Sequence, residues 1–132
     1  MQNSEEDKLM IICPARHPVA DPDLIDLGDP ADLGGKILEG NPRISARIDY
    51  QRDGVTAGIF QATTGVVEVT FPFTEHATVL DGAVTITDAD GTEHTYRPGD
   101  SYLIEQGAVV RWEVHGERVQ KSFFNVTRPE VA

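Results

Sequence analysis

The stretch Glu75-His76-Ala77-Thr78-Val79-Leu80-Asp81-Gly82, followed by Arg97-Pro98-Gly99-Asp100, decides the fold of this chain. It reads as strands closed by tight turns, because Asp-Gly and Pro-Gly-Asp suit turn geometry and the residues before them suit an extended backbone. Outward from it, between Gly58 and Val126, short apolar runs are punctuated by Gly65, Asp81-Gly82, Asp90-Gly91, Gly99-Asp100, Gly107 and Gly116, at intervals of 8 to 17 residues. That rhythm predicts an antiparallel sandwich or small barrel. One carboxylate, Glu75, is expected at its mouth.

The same residues resemble a known superfamily. Glu75, six intervening residues and Gly82 match the second half of the first cupin motif, and Gly99-Asp100 through Gly107 resembles the second, with Glu105 where that motif has proline. Gly58-Ile59-Phe60, Thr64-Gly65, Asp90-Gly91 and Trp112-Glu113-Val114 extend the likeness to the small single-domain cupins related to ethanolamine-utilisation cupins and (S)-ureidoglycine aminohydrolase. The resemblance implies an all-β cupin double-stranded β-helix, a jelly-roll barrel. It covers residues 39 to 126, so the expected organisation is an irregular N-terminal extension over 1–38 and a barrel over 39–128. Function does not follow from such a fold and has to be argued from the site.

With 132 residues the chain has the length of one domain, and its net charge of −11 repels polyanions, which argues against nucleic-acid and anionic-membrane partners. Residues 1 to 35 hold eight acids against Lys8 and Arg16, so much of this excess lies outside the barrel motifs. The apolar run Leu9-Met10-Ile11-Ile12-Cys13 is short and follows acids, unlike a secretory signal, and no stretch reads as a membrane span. The lone Cys13 cannot form an internal disulfide, which suits a cytoplasmic protein, and is expected as a buried structural residue. Cys13 and His17 by themselves are a poor zinc signal. Asn125-Val126-Thr127 fits a glycosylation sequon that has no meaning in a cytoplasmic chain.

Upstream of the barrel, residues 9–13 are a candidate outlying strand. Pro18, Pro22 and Pro30 with Gly28, Gly34, Gly35 and Gly40 exclude a long helix, but Asp29-Pro30 has the form of an N-cap followed by proline and predicts one short turn. Ile44, Ala46, Ile48 and Tyr50 alternate and predict a strand over 43–51.

By the resemblance, metal-binding cupins place imidazoles in the first motif, either three or four residues before the glutamate. Those positions here are Val69 and Phe71, or Glu68 and Thr70, and the third histidine position is Val110. Glu75 alone remains of the motif ligands, so no metal and no cofactor is expected. His76 should face away from Glu75, because successive strand side chains alternate, and His115 away from Trp112. His94, just after a turn, should face solvent. The aminohydrolase relatives use a glutamate at the first ligand position, which four-residue spacing places at Glu68, but their other ligands have no match.

The strand preceding Glu75 leaves two alternatives. If Val67, Val69, Phe71 and Phe73 line the barrel, Glu68 is a solvated residue and the cavity is greasy. If the other set faces inward, Glu68, Thr70 and Glu75 line it. The expected function is small-molecule binding at a metal-free site in which Glu75, aided by Glu68, is the candidate general acid and base, with Thr70, Val110 and Trp112 as ligand-binding residues. Burial beside Val110 and Trp112 would disfavour the charged carboxylate and bring it toward proton transfer near neutral pH. The alternatives are a metal-dependent hydrolase of a nitrogen-rich metabolite and a non-catalytic binding or assembly module. A homodimer is expected through the apolar face of strand 67–73.

Overall fold

The structure is a computed structural model and describes residues 10–13, 19–20 and 23–129. Eight strands follow in chain order: β1 (Ile25–Gly28), β2 (Gly35–Gly40), β3 (Ile44–Arg52), β4 (Val55–Thr70), β5 (Thr74–Thr87), β6 (Glu93–Tyr96), β7 (Ser101–Ile104) and β8 (Val109–Val126). All the pairings are antiparallel and build one sheet in the order β1-β3-β4-β8-β5-β6, with β2 added to β4 and β7 added to β5. The long β4, β5 and β8 run side by side and hold the shorter strands at their ends. β3 pairs with the first half of β4 and β2 with the second, while β7 and β6 divide β5 in the same way.

The three long strands bend together. The register shifts between Thr63 and Gly65 in β4 and between Val79 and Ala83 in β5, and at the same level β8 carries extra residues between Val114 and Arg118. The Thr64 hydroxyl donates to the Gly116 carbonyl and fastens β4 to this excursion. Gly82 is required at the bend: its φ is +77°, and a Cβ there would lie 2.0 Å from the Arg118 carbonyl oxygen. Bulges of this kind bend a strand and invert its inside-outside alternation beyond them. Before the bend Trp112 and Val114 of β8 are buried; after it Val119, Lys121, Phe123 and Asn125 are. In β5 the buried set passes from Glu75, Ala77 and Val79 to Val84 and Ile86.

The N-terminal region departs from expectation. β1 and β2 join the sheet through β3 and β4, so among the described residues strand structure is present from Ile25, before the expected barrel start at residue 39. Paired backbone satisfies their amides despite the prolines and glycines around them. The candidate strand 9–13 is not one: Met10–Cys13 is irregular with Met10 and Ile12 largely exposed, and Leu9 lies outside the described residues. Cys13 is exposed rather than buried, lying in an irregular stretch and not in a strand of the sheet. The short turn is present as a 3-10 helix over Pro30–Leu33, capped by the Asp29 side chain, which accepts from the Ala31 amide. Val19 is tied down by Gln120, whose amide side chain accepts from the Val19 N–H and donates to its carbonyl at 2.8 and 2.9 Å. Among the described residues no helix is long and apolar enough to cross a membrane.

Candidate functional site

The bent sheet encloses a cavity of about 370 Å³, within the range of small-molecule sites. Val67, Val69, Phe71 and Phe73 line one wall, and Phe60, Trp112 and Phe123 line another. Leu33, Ile48, Gln51, Pro72 and Thr127 line it too and are exposed, which marks the mouth. The alternation question is thereby answered. The odd-numbered set faces inward, in step with Glu75, and three-residue spacing is the one that fits this chain.

At the buried end three polar groups form a closed triangle. Glu75 lies on β5 beside Ile104 of β7 and Asn125 of β8. Its Oε1 accepts from the Tyr102 hydroxyl at 2.5 Å and from the Lys121 ammonium at 2.7 Å, and Lys121 Nζ also donates to the Tyr102 oxygen at 2.6 Å. The Lys121 and Glu75 side chains are 5% and 3% exposed, so this is an ion pair shielded from water. Such a pair repays its desolvation only with further hydrogen bonds, and Tyr102 supplies them to both partners.

Aromatic faces complete the setting of Lys121. Its Nζ lies 4.4 Å from the ring centroid of Trp112, 4.7 Å from Phe60 and 5.3 Å from Tyr102, a cation–π enclosure. Burial lowers the Lys121 pKa, and the nearby Glu75 carboxylate opposes that shift without cancelling it. Burial, and then the Glu75 charge, push the Tyr102 phenol well above its ordinary range, so it stays a neutral donor. Edge-on contacts from Tyr102 to Trp112 on one side and to Tyr96 on the other hold its ring in place.

The structure brings Glu75 and Trp112 together in the cavity wall. Glu68 and Thr70 are exposed on the opposite face of β4, where the strand's alternation carries them, and neither lines the cavity. Val110 is buried in the core but faces a smaller depression shared with Ile86, His94 and Tyr96. His76, His94 and His115 are exposed, and His115 Nε2 meets the Thr85 hydroxyl at 2.6 Å on the outer face. Tyr102 and Lys121 did not stand out in the sequence. Their signals were a tyrosine sharing the alternation of Ile104, and a lysine sharing the alternation of the apolar Val119 and Phe123.

These residues do not fit a transition metal. Val69, Phe71 and Val110 offer no donor atoms, the one motif carboxylate is taken up by an ammonium and a phenol, and among the described residues no cluster of three or more His, Cys, Asp or Glu exists. The fold and cavity define a cupin whose interior carries a buried glutamate–lysine pair. The match of residues 50–123 to the EutQ-like cupin domain places the chain in that family.

Solved structures support the fold. A protein of unknown function from Pseudomonas syringae pv. tomato superposes with a TM-score of 0.68 at 18% identity over 78% of this chain, which spans only 44% of that protein. The EutQ protein of Clostridium difficile gives a TM-score of 0.59 at 15% identity, covering 82% of this chain and 79% of its own. A putative ethanolamine utilization protein from Salmonella typhimurium gives 0.56 at 16% identity, covering 66% and 72%. No curated protein matches the chain.

Proposed function

We propose that this cupin binds a small organic molecule in its cavity and transfers a proton to or from it through Glu75, with no metal. The observation that carries this reading is the shielded Glu75-Lys121 pair in the cavity wall, joined by the Tyr102 hydroxyl. A charge pair costs stability when buried, and a fold that needed only packing would do as well with apolar residues there. The apolar wall suits a ligand with a hydrocarbon body, and the polar end suits a head group that accepts hydrogen bonds. On ligand entry Lys121 donates to the head group, and Glu75, held by the Tyr102 hydroxyl, takes or returns the proton. Thermal-shift screening of small carboxylic acids, alcohols, amines and carbonyl compounds tests this. A ligand class that stabilises the native protein and loses at least about tenfold in affinity with Glu75→Gln supports it. Retained affinity and turnover in that variant would end it.

The apolar face of strand 67–73, expected to carry a dimer interface, lines the cavity instead, and a strip on the outer face favours a homodimer in its place. Leu103 of β7 and Phe124 of β8 flank His76 of β5 in register, and they are 65% and 50% exposed. An apolar strip across neighbouring strands suits a second copy of the chain. Light scattering after size exclusion gives the mass, and Phe124→Ser should shift a dimer toward monomer.

A further inference from the structure

The site's most distinctive group is an amine, and this inference rests on the cavity being a ligand site as proposed above. We infer that Lys121 forms a covalent imine with a small aldehyde or ketone bound in the cavity, with Glu75 serving the proton transfers and Tyr102 holding Glu75 in place. Three features of the geometry point there. Lys121 lines the cavity, so its side chain stands beside a carbonyl compound bound there. Glu75 Oε1, at 2.7 Å, is placed to take an ammonium proton, and the Tyr102 hydroxyl, which donates to the same oxygen, holds the carboxylate beside Nζ. Phe60 and Trp112 exclude water from the nitrogen, which protects an imine from hydrolysis, and their ring faces stabilise its positive charge.

The chemistry balances within these groups. Lys121 passes one proton to Glu75, and the freed nitrogen lone pair attacks the carbonyl carbon as the C=O π bond opens onto oxygen. That oxygen takes the proton from Glu75, and the nitrogen then returns one to the carboxylate. Glu75 protonates the carbinolamine hydroxyl, the C–O bond breaks, water leaves, and the nitrogen lone pair closes the C=N bond. The products are one water and a protonated imine paired with the Glu75 carboxylate, and no oxidant or reductant takes part. A desolvated lysine beside a proton acceptor is the form in which the amine is an effective nucleophile.

The sequence supplies its own control, because Lys8 and Lys36 are the other lysines and Lys36 is exposed on β2. The native protein is incubated at neutral pH with butanal and sodium cyanoborohydride, digested, and mapped by mass spectrometry. Addition of one butyl group to Lys121 is expected at least about tenfold faster than to Lys36, because Glu75 beside Nζ serves the proton transfers that an exposed lysine leaves to solvent. Glu75→Gln should slow the labelling of Lys121 and leave that of Lys36 unchanged. Labelling of Lys121 no faster than Lys36 overturns the imine. Thermal shift with butanal and with 1-butanol, run alongside, separates the two readings: stabilisation without trapping at Lys121 removes the imine and keeps the binding site. No stabilisation by any class in the wider screen, and no trapping, removes both.

Discussion

Lys121 Nζ and Glu75 Oε1 stand 2.7 Å apart on adjacent strands, and both side chains are almost wholly buried. The pair joins β5 to β8 inside the barrel, and each member would be a stranded charge without the other. Replacing Lys121 by methionine should therefore cost about 3–5 kcal/mol, because it leaves a buried carboxylate uncompensated. Adding Glu75→Leu to that variant should recover most of the loss. Urea unfolding of the two single variants and the double checks this, and simple additivity would mean that the charges are not coupled.

Tyr102 sets the alkaline limit. Its pKa is raised in the fold above the ordinary value of 10.0, so above that pH the unfolded chain sheds a proton that the folded one keeps. Stability is fully present below pH 10 and falls as pH rises from there. Tyr102→Phe should lower stability at pH 7 by about 1.5–3 kcal/mol through the lost bond to a charged partner, and should flatten the fall above pH 10. Thermal unfolding between pH 7 and 11 measures both. An unchanged alkaline slope in the variant would show that other groups carry it.

Gln120 holds the N-terminal segment. Its side chain bonds both backbone groups of Val19 and also donates to Gln61 Oε1 at 2.7 Å, in a site with no exposure. Gln120→Leu should cost about 1–3 kcal/mol by leaving those groups unpaired. Hydrogen exchange at the Val19 amide should rise strongly, and limited proteolysis should cut near residue 19 sooner than in the wild type.

Gly82→Ala tests the bend. A methyl group 2.0 Å from the Arg118 carbonyl oxygen, on a residue with φ +77°, cannot be accommodated without moving β5 away from β8. A loss of at least ~3 kcal/mol is expected. An ordinary melting temperature in this variant would mean that the two strands part easily at this level.

Metal loading gives a prediction from chemistry. Because an ammonium and a phenol take up Glu75, and Val69, Phe71 and Val110 stand at the histidine positions, anaerobic addition of manganese, iron or zinc to tag-free protein should neither bind near one equivalent nor raise the melting temperature. One equivalent of a single transition metal would overturn the assignment of Glu75 to Lys121.

The turns and strands were legible because Asp-Gly and Pro-Gly-Asp punctuate them, and the inward face of Glu75 followed from its spacing to Gly82, but it sits at the buried end of the cavity and not at the expected mouth. Trp112 was legible as an aromatic with Val110 and Val114 on its own face. Lys121 was not, because strict alternation along β8 fails where the strand takes extra residues between Val114 and Arg118. Tyr102 lies on a strand of four residues, too short for a pattern to show which face it presents. β1 and β2 were hidden by prolines and glycines, which in this chain end strands rather than forbid them. The face of 67–73 was ambiguous until the strand pairing fixed it.

The excursion at Gly116 bears on how such a protein can change. Shape and chemistry are encoded apart: strand lengths and turns set the vessel, while the phase of β8 past its kink decides which residues look into it. If β8 slid by one residue beyond that point, every strand would survive, yet Lys121 would turn away from the cavity and Gln120 and Ser122 would face it. A small change in one loop can thus exchange the whole inner surface of a strand without any change of fold, so relatives with the same outline can carry unrelated interiors.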